Sequence, residues 1–117
     1  MGYVTREPHI FGSVQPTAGE LRELAYMDLD QNAYGSIFIS NTNDTIPDKV
    51  RLAVKPLMDE DQPVSGKHYI IYDLFLDPSY SIQIANIGLD YGCRIYGYSQ
   101  NGFVNFNMTG DLIRTIL

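Results

Sequence analysis

The alternation of apolar and polar residues is clearest in the middle of the chain. Val50, Leu52 and Val54 are separated by residues that are mostly cationic, which gives a period of two residues. Such a period is typical of a strand with one buried face and one face in solvent. Over residues 67–76 almost every side chain can be buried, which predicts a second strand that is buried on both faces. A polar loop over residues 56–66 joins the two strands.

The same kind of alternation recurs on both sides of this pair. Strand-like runs cover residues 33–40, 80–85, 92–98 and 103–108, and turn-forming residues separate them. Residues 99–102 include Asn-Gly, the strongest short signal for a hairpin. About seven or eight short strands at a spacing of roughly 8 to 13 residues indicate an all-β sandwich or barrel. Of the two we predict one antiparallel sandwich, of jelly-roll or Ig-like type.

The beginning of the chain lacks this pattern. Residues 1–19 contain few apolar side chains and are interrupted by prolines and glycines. We therefore expect an extended N-terminal arm, followed by a single sandwich domain over residues 20–117. An arm of this kind can reach onto a neighbouring subunit, and a floppy terminus is an equal alternative.

Residues 20–29 fit two predictions. Leu21, Leu24 and Ala25 have the spacing of one helix face. If the segment is a strand, the run that begins at Leu24 places alternate residues on opposite sides. Periodicity alone leaves helix and strand open for this segment.

Composition and charge narrow the classes of function. The chain has 117 residues, of which 44% are hydrophobic, and this is enough for a single core. The formal net charge of -6 argues against nucleic-acid binding and against adhesion to anionic membranes, so we expect neither as a partner. One cysteine excludes an internal disulfide and a cysteine-based zinc site. The sequence shows no signal peptide and no apolar run of the ~18 residues that a membrane span needs, which favours folding in a cytoplasm.

An acidic run and a histidine are the first candidates for chemistry. Asp59, Glu60 and Asp61 could bind a hard cation, but the run lacks the ordered ligand spacing of a calcium loop, so a solvated loop is the favoured interpretation. His68 could act as a base or as a pH sensor. A histidine at the entrance of a strand is more often a hydrogen-bonded structural residue, and we expect that role here.

The single cysteine completes the search for a catalytic group. Cys93 shares a strand face with Ile95, whereas Arg94 is on the opposite face, so a small buried hydrophobe is favoured over a thiolate nucleophile. Two histidines are too few for a histidine-rich metal site. In the absence of a nucleophile–base pair or a metal cluster in the sequence, we predict that the protein is not an enzyme and has no catalytic residue, metal site or cofactor.

Cations and tyrosines indicate an interaction surface instead. Lys49, Arg51 and Lys55 form a stripe on one strand face, for which contact with an acidic neighbour and protection of a strand edge are equal alternatives. Six tyrosines of the second half of the chain are more than one core of this size needs: Tyr69, Tyr72, Tyr80, Tyr91, Tyr96 and Tyr98. Exposed tyrosines suit protein interfaces first and carbohydrate stacking second. The candidate interface residues are Ile10, Phe11, Lys49, Arg51, Lys55, Tyr96 and Tyr98.

Several phrases of the sequence occur together in one known family. The most specific are VRLAVKP over residues 50–56 and KHYIIYD over residues 67–73. An apolar strand that ends in Asn precedes them, and an Ile-Gly-Leu corner at residues 87–89 and a hairpin over residues 95–111 follow them. With this order and spacing the chain resembles, over residues 34–112, a family of small virion structural proteins of tailed phages, including cyanophages.

The resemblance implies a non-enzymatic structural role in a virion that is assembled in the host cytoplasm. It does not imply which part of the particle. We predict other virion proteins as partners and a homo-oligomer, a trimer or a hexamer, on the tail, baseplate, collar or fibre attachment region. A capsid decoration (cement) protein is the alternative, and a receptor- or carbohydrate-binding module is the alternative of another class. The resemblance also favours a strand over residues 20–29.

Overall fold

Eight strands make up most of the protein. The structure, a computed structural model, describes residues 3–28 and 30–116. Two single turns of 3-10 helix, Leu57–Asp59 and Gly66–His68, lie between the fourth and fifth strands, and no α-helix occurs in the described ranges. The strands are β1 (Tyr3–Val14), β2 (Leu21–Tyr26), β3 (Gln31–Asn41), β4 (Asp48–Lys55), β5 (Tyr69–Leu76), β6 (Ser81–Leu89), β7 (Arg94–Ser99) and β8 (Val104–Ile116).

The strands form two antiparallel sheets that pack face to face. The first sheet has the order β1-β8-β3-β6 and the second has the order β2-β7-β4-β5. The chain changes sheet at every connection except the one from β4 to β5. This strand order is that of a jelly roll. The predicted all-β sandwich is therefore confirmed, and of its two types the strand order matches the jelly roll.

The core lies between the sheets and is built from alternate residues of the central strands. In β8, Val104, Phe106 and Met108 are fully buried, as their alternation predicts. Val50 and Leu52 of β4 meet them from the opposite sheet. Each such side chain contributes roughly 1.5–3 kcal/mol on burial, which makes this layer the main source of stability. The other fully buried large apolar side chains are Met27, Ile37, Ile39 and Ile95.

The N-terminal segment is part of the first sheet. β1 pairs antiparallel with β8 along its whole length, from Tyr3 opposite Ile116 to Val14 opposite Phe106. The segment is extended, as predicted, but it does not stand apart from the sandwich as an arm over residues 1–19 would; residues 1 and 2 lie outside the described ranges. The apolar pattern gave no strand signal because the first half of β1 is an edge strand with both faces largely in solvent.

The segment that was open between helix and strand forms β2, and residue 29 lies outside the described ranges. A bulge between Glu23 and Ala25 in the pairing with β7 explains the helix-like spacing. The bulge places Leu24 and Ala25 both in the core, so two adjacent apolar residues are buried, as they would be on a helix face.

The strand that was predicted to be buried on both faces is an edge strand. β5 pairs with β4 on one side only and ends the second sheet. Four of its apolar or aromatic side chains are exposed, namely Ile70, Tyr72, Leu74 and Phe75. The prediction of a strand buried on both faces is therefore wrong for most of β5. An apolar run shows that side chains can be buried, and it does not show whether a neighbouring strand covers them.

An irregularity crosses all four strands of the first sheet at one level. Gly35 of β3 pairs with Gly110 of β8, and a Cβ atom on Gly35 would lie 2.2 Å from the carbonyl oxygen of Thr109. At this level β1 has a bulge at Phe11, and Asn86 of β6 has a φ of 60°. The backbones approach so closely here that a side chain at either glycine would collide with the neighbouring strand.

Candidate functional site

The outer face of the second sheet carries most of the predicted interface residues. At its centre the guanidinium of Arg51 lies between two tyrosine rings, 4.2 Å from the centroid of Tyr72 and 4.4 Å from that of Tyr98. Its Nε and Nη2 donate hydrogen bonds to the carboxylate of Asp73, at 2.6 Å and 3.3 Å. These four residues, the Arg51 cluster, bring one cation, two rings and one carboxylate together on one face.

A bulge in β5 gives Arg51 these partners. The register of β4 against β5 shifts between Val50 and Leu52, so Tyr72 and Asp73 both stand opposite Arg51. Asp73 has a φ of 52°, in the left-handed region that Asp adopts more readily than most residues. The backbone thus turns both side chains of the bulge toward the same cation.

The ion pair shifts the pKa of both of its members. The hydrogen bond from Arg51 lowers the pKa of Asp73 below its usual range, and the same bond raises the pKa of the Arg51 guanidinium. Both groups are charged at neutral pH, and their charges offset each other. The cation at position 51 is therefore engaged within the subunit.

Lys55 is also used inside the protein. Its side chain is buried, and Nζ donates to the carbonyl oxygens of Gln62 at 3.0 Å and Glu60 at 3.5 Å, both in the loop before β5. The ring of Tyr96 lies 5.7 Å from Nζ. A buried ammonium needs such partners in place of water. Lys55 therefore ties the loop to the sheet, whereas Lys49, at the other end of the predicted stripe, is exposed.

A further cation–ring contact extends the pattern toward β2. The guanidinium of Arg94 lies 4.1 Å from the ring centroid of Tyr26, and its Nη1 donates to Glu23 at 2.7 Å. The hydrogen bond to Glu23 raises the pKa of Arg94. The face is thus rich in tyrosine, and its arginines are offset by acids. Tyrosine-rich faces with few free charges are typical of protein interfaces.

The two remaining predicted interface residues lie on the first sheet. Ile10 is exposed on β1, and Phe11 is half-buried against the core, in edge-to-face contact with His9 at 4.8 Å between ring centroids. The structure therefore divides the predicted set between two sheets. It brings together only the members on the second sheet, where Arg51 contacts Tyr98.

His68 has both ring nitrogens engaged. Its Nδ1 accepts a hydrogen bond from the backbone N–H of Ser65 at 2.9 Å. The ring proton therefore lies on Nε2, which donates to Asp59 at 2.9 Å. The side chain is also buried, away from any substrate in solvent. This geometry supports the interpretation of His68 as a hydrogen-bonded structural residue.

The contact with His68 separates Asp59 from the other two acids of the run. It is buried, and the ammonium of Lys67 lies 3.4 Å from it. The hydrogen bond from His68 is the main reason that the pKa of Asp59 is lowered, and Lys67 adds to the effect. Glu60 and Asp61 are exposed, so the three carboxylates do not converge. Within residues 3–28 and 30–116, no group of three or more His, Cys, Asp or Glu side chains is placed to hold a metal ion.

Cys93 lies at the edge of the core. Burial raises the pKa of its thiol, which stays protonated at neutral pH. The guanidinium of the next residue, Arg94, is held on the outer face by Glu23. These observations favour the small buried hydrophobe over the nucleophile.

Asp48 is a buried acid whose role no sequence pattern indicated. Its two carboxylate oxygens accept four hydrogen bonds, from the Ser99 hydroxyl and from the N–H groups of Lys49, Asn101 and Phe103. Asp48 thereby fixes the turn between β7 and β8. In the sequence it stands at the end of a turn-rich stretch, where an aspartate is common for local reasons alone.

No helix in the described parts of the chain is long and apolar enough to cross a membrane.

Comparison with known proteins gives a likeness in fold. No protein-family model and no curated protein matches the sequence. A chain in the crystal structure of the T13 IBDV viral particle is similar, with a TM-score of 0.54 and 8% sequence identity. The match covers 98% of this chain and 31% of the viral chain, so this chain spans about a third of that length. At this identity the likeness concerns the fold alone.

Proposed function

We propose that this chain is a non-enzymatic structural protein of a tailed-phage virion, which assembles on the tail, baseplate, collar or fibre attachment region. The observation that carries the proposal is the jelly-roll fold, which over 98% of the chain is similar to that of a chain in a viral particle. The resemblance of VRLAVKP and KHYIIYD to phrases of phage virion proteins supports the same role.

The chemistry of the polar side chains supports an assembly role over a catalytic one. His68 and Asp59 bond to each other, and Arg51 bonds to Asp73, so these groups are engaged in holding loops and strands together. The outer face of the second sheet offers tyrosines for contact with other virion proteins or with further copies of the chain.

The first test is the composition of the particle. Purified phage particles should contain the protein at a fixed copy number, measured by quantitative mass spectrometry against a known capsid protein. Copies in threes or sixes would place it on the tail. Its absence from purified particles would contradict the proposal.

A capsid decoration protein is the second candidate. It is favoured by the similarity in fold to a chain of the T13 IBDV viral particle, whose structure is described in relation to the evolution of icosahedral viruses. The same measurement separates the two candidates, because a decoration protein should be present in hundreds of copies per particle.

A receptor- or carbohydrate-binding module is the candidate of another class. The ring of Tyr72 is exposed, but Arg51 occupies one of its faces, which limits the stacking of a sugar there. Binding of the isolated protein to a panel of host glycans, abolished by Tyr72→Ala, would favour this candidate over an assembly role.

A further inference from the structure

One side of the sandwich is closed and the other is open. On the closed side β1 and β2 pack together so tightly that a Cβ atom on Gly12 would lie 1.9 Å from the carbonyl oxygen of Leu24. On the opposite side the edge strands are β5 and β6, and they make much less contact with each other. The sheets therefore separate along β5 and β6, and apolar side chains remain in reach of solvent there.

The side chains of β5 and β6 at this opening are almost all apolar, both between the sheets and on the adjoining outer face of the second sheet, where Tyr72 contacts Arg51 and Phe75 stands opposite Lys49. On β5, Ile70 is 53% exposed and Phe75 is 57% exposed, and Tyr72 and Leu74 are also exposed. On β6, Ile82 and Ile84 face inward and pack against the core, but they are only half-buried. The open edge comprises Ile70, Tyr72, Leu74, Phe75, Ile82 and Ile84.

The open edge carries almost no charge. Over residues 69–76 and 81–89 the one charged residue is Asp73, which Arg51 neutralises, and the exposed Lys49 of β4 stands opposite Phe75. Edge strands of monomers are usually protected by charged side chains, and β5 and β6 lack that protection. The other edges carry it, with Arg6 and Glu7 on β1 and Arg22 and Glu23 on β2.

The backbone of β5 favours contact through side chains. The register of β5 shifts twice against β4, and Asp73 has a φ of 52°. Bulges of this kind interrupt the row of free N–H and C=O groups that another strand would need. A partner therefore packs on the side chains of the open edge and does not extend the sheet.

We propose that the open edge is the surface through which copies of this chain associate with one another. A second copy fits because an apolar, neutral patch is its own complement, whereas the net charge of -6 makes two copies repel over the rest of their surfaces. The exposed β5 side chains offer on the order of 400 Å², about half of what one partner buries in a standard interface. An interface of this size belongs to the class of weak and transient contacts.

The inference deepens the proposed function and rests on it, since an assembling subunit needs such a surface. The two remain separable. Self-association is measured on the purified chain alone, and the virion role is measured by the presence of the protein in particles, so either result can fail without the other.

The test is sedimentation velocity of the full chain from about 1 to 200 µM, a range in which weak association is detected. The wild-type chain should associate with rising concentration. The double variant Ile70→Asp, Phe75→Asp should raise the dissociation constant by at least about tenfold, because it puts two carboxylates into the contact. Met58→Asp, at a residue that is 85% exposed in the loop before β5, is the matched control and should associate like the wild type.

Circular dichroism and thermal melting establish that each variant is folded. Hydrogen exchange of the wild-type chain at low and high concentration is the second measurement, and added protection should be confined to β5 and β6. A wild-type chain that stays monomeric throughout would overturn the proposal. So would an oligomer that the double variant leaves unchanged, or one whose protection lies on β1 and β2.

Discussion

The carboxylate of Asp48 accepts a hydrogen bond of 2.6 Å from the hydroxyl of Ser99, and both side chains are buried. The same hydroxyl accepts a hydrogen bond from the N–H of Gly102 at 2.9 Å. One acid at the start of β4 thus fixes a turn that lies 51 residues further along the chain. The contact ties β4, a central strand of the second sheet, to the turn through which the chain passes from β7 into β8 of the first sheet.

Replacement of this acid should destabilise the whole sandwich. Asp48→Ala leaves the buried hydroxyl of Ser99 and the partly buried N–H groups of Asn101 and Phe103 without their acceptor. We expect a loss of about 3 kcal/mol in the free energy of unfolding, measured by urea denaturation. Asp44→Ala, in the exposed loop before β4, is the control and should change it by less than ~0.5 kcal/mol. Equal losses in the two variants would contradict the role assigned to Asp48.

Removal of the cation from the Arg51 cluster should raise the pKa of Asp73. Arg51→Ala takes away the hydrogen bond that lowers this pKa, so the carboxylate should titrate close to the usual range for aspartate. The measurement is a pH titration of the Asp73 side-chain carboxyl signal by NMR. Arg22→Ala, which removes the exposed partner of Glu20, is the control and should leave the Asp73 titration unchanged.

The same pair predicts the direction of one pH effect on stability. Because the pKa of Asp73 is lower in the folded protein than in the unfolded chain, its ion pair stabilises the fold above the unfolded pKa of aspartate. This contribution is lost as the pH falls through the lowered pKa. The gap in stability between wild type and Arg51→Ala should therefore shrink on acidification, and a gap that is independent of pH would contradict the assignment.

The contact between His68 and Asp59 should control the loop before β5. His68→Gln removes the main cause of the lowered pKa of Asp59, which should rise, and it takes away the imidazole acceptor of the Ser65 N–H. We expect the backbone N–H groups of residues 57–62 and 64–68 to exchange at least about tenfold faster with deuterium, because the loop loses its anchor. His9→Gln, on the exposed first half of β1, should leave the exchange of that loop unchanged. Unchanged exchange in both variants would show that other contacts hold the loop.

Alternation predicted the strands well wherever one face meets the core. Val50 and Leu52 of β4 and the inward residues of β8 are buried as their spacing predicts. It was ambiguous at Leu24 and Ala25, because a bulge in β2 buries two neighbours in sequence. The alternation of residues in a strand shows only which of its own side chains face the core. A bulge depends on how the strand pairs with its neighbour, so it has no pattern of its own in the sequence.

The position of each strand within its sheet could not be predicted from the sequence. β5 has the composition of a central strand, and only the order of the second sheet shows that one of its edges is free. The candidate site had the same limit. Lys55 and Arg51 looked like a free cationic stripe because their partners, the carbonyl oxygens of the loop and the carboxylate of Asp73, are brought to them by tertiary contacts.

The level at which Gly35 meets Gly110 should tolerate no side chain. A Cβ atom on Gly35 would lie 2.2 Å from the carbonyl oxygen of Thr109, a backbone atom that cannot move without the strand. We expect Gly35→Ala to lower the free energy of unfolding by about 2–3 kcal/mol, because the two central strands of the first sheet must separate to admit the methyl group. Gly66→Ala is the matched control, since no atom lies within 4 Å of a Cβ placed there, and it should be nearly neutral in the same urea titration. If Gly35→Ala proves as stable as Gly66→Ala, the close approach of β3 and β8 does not hold in solution.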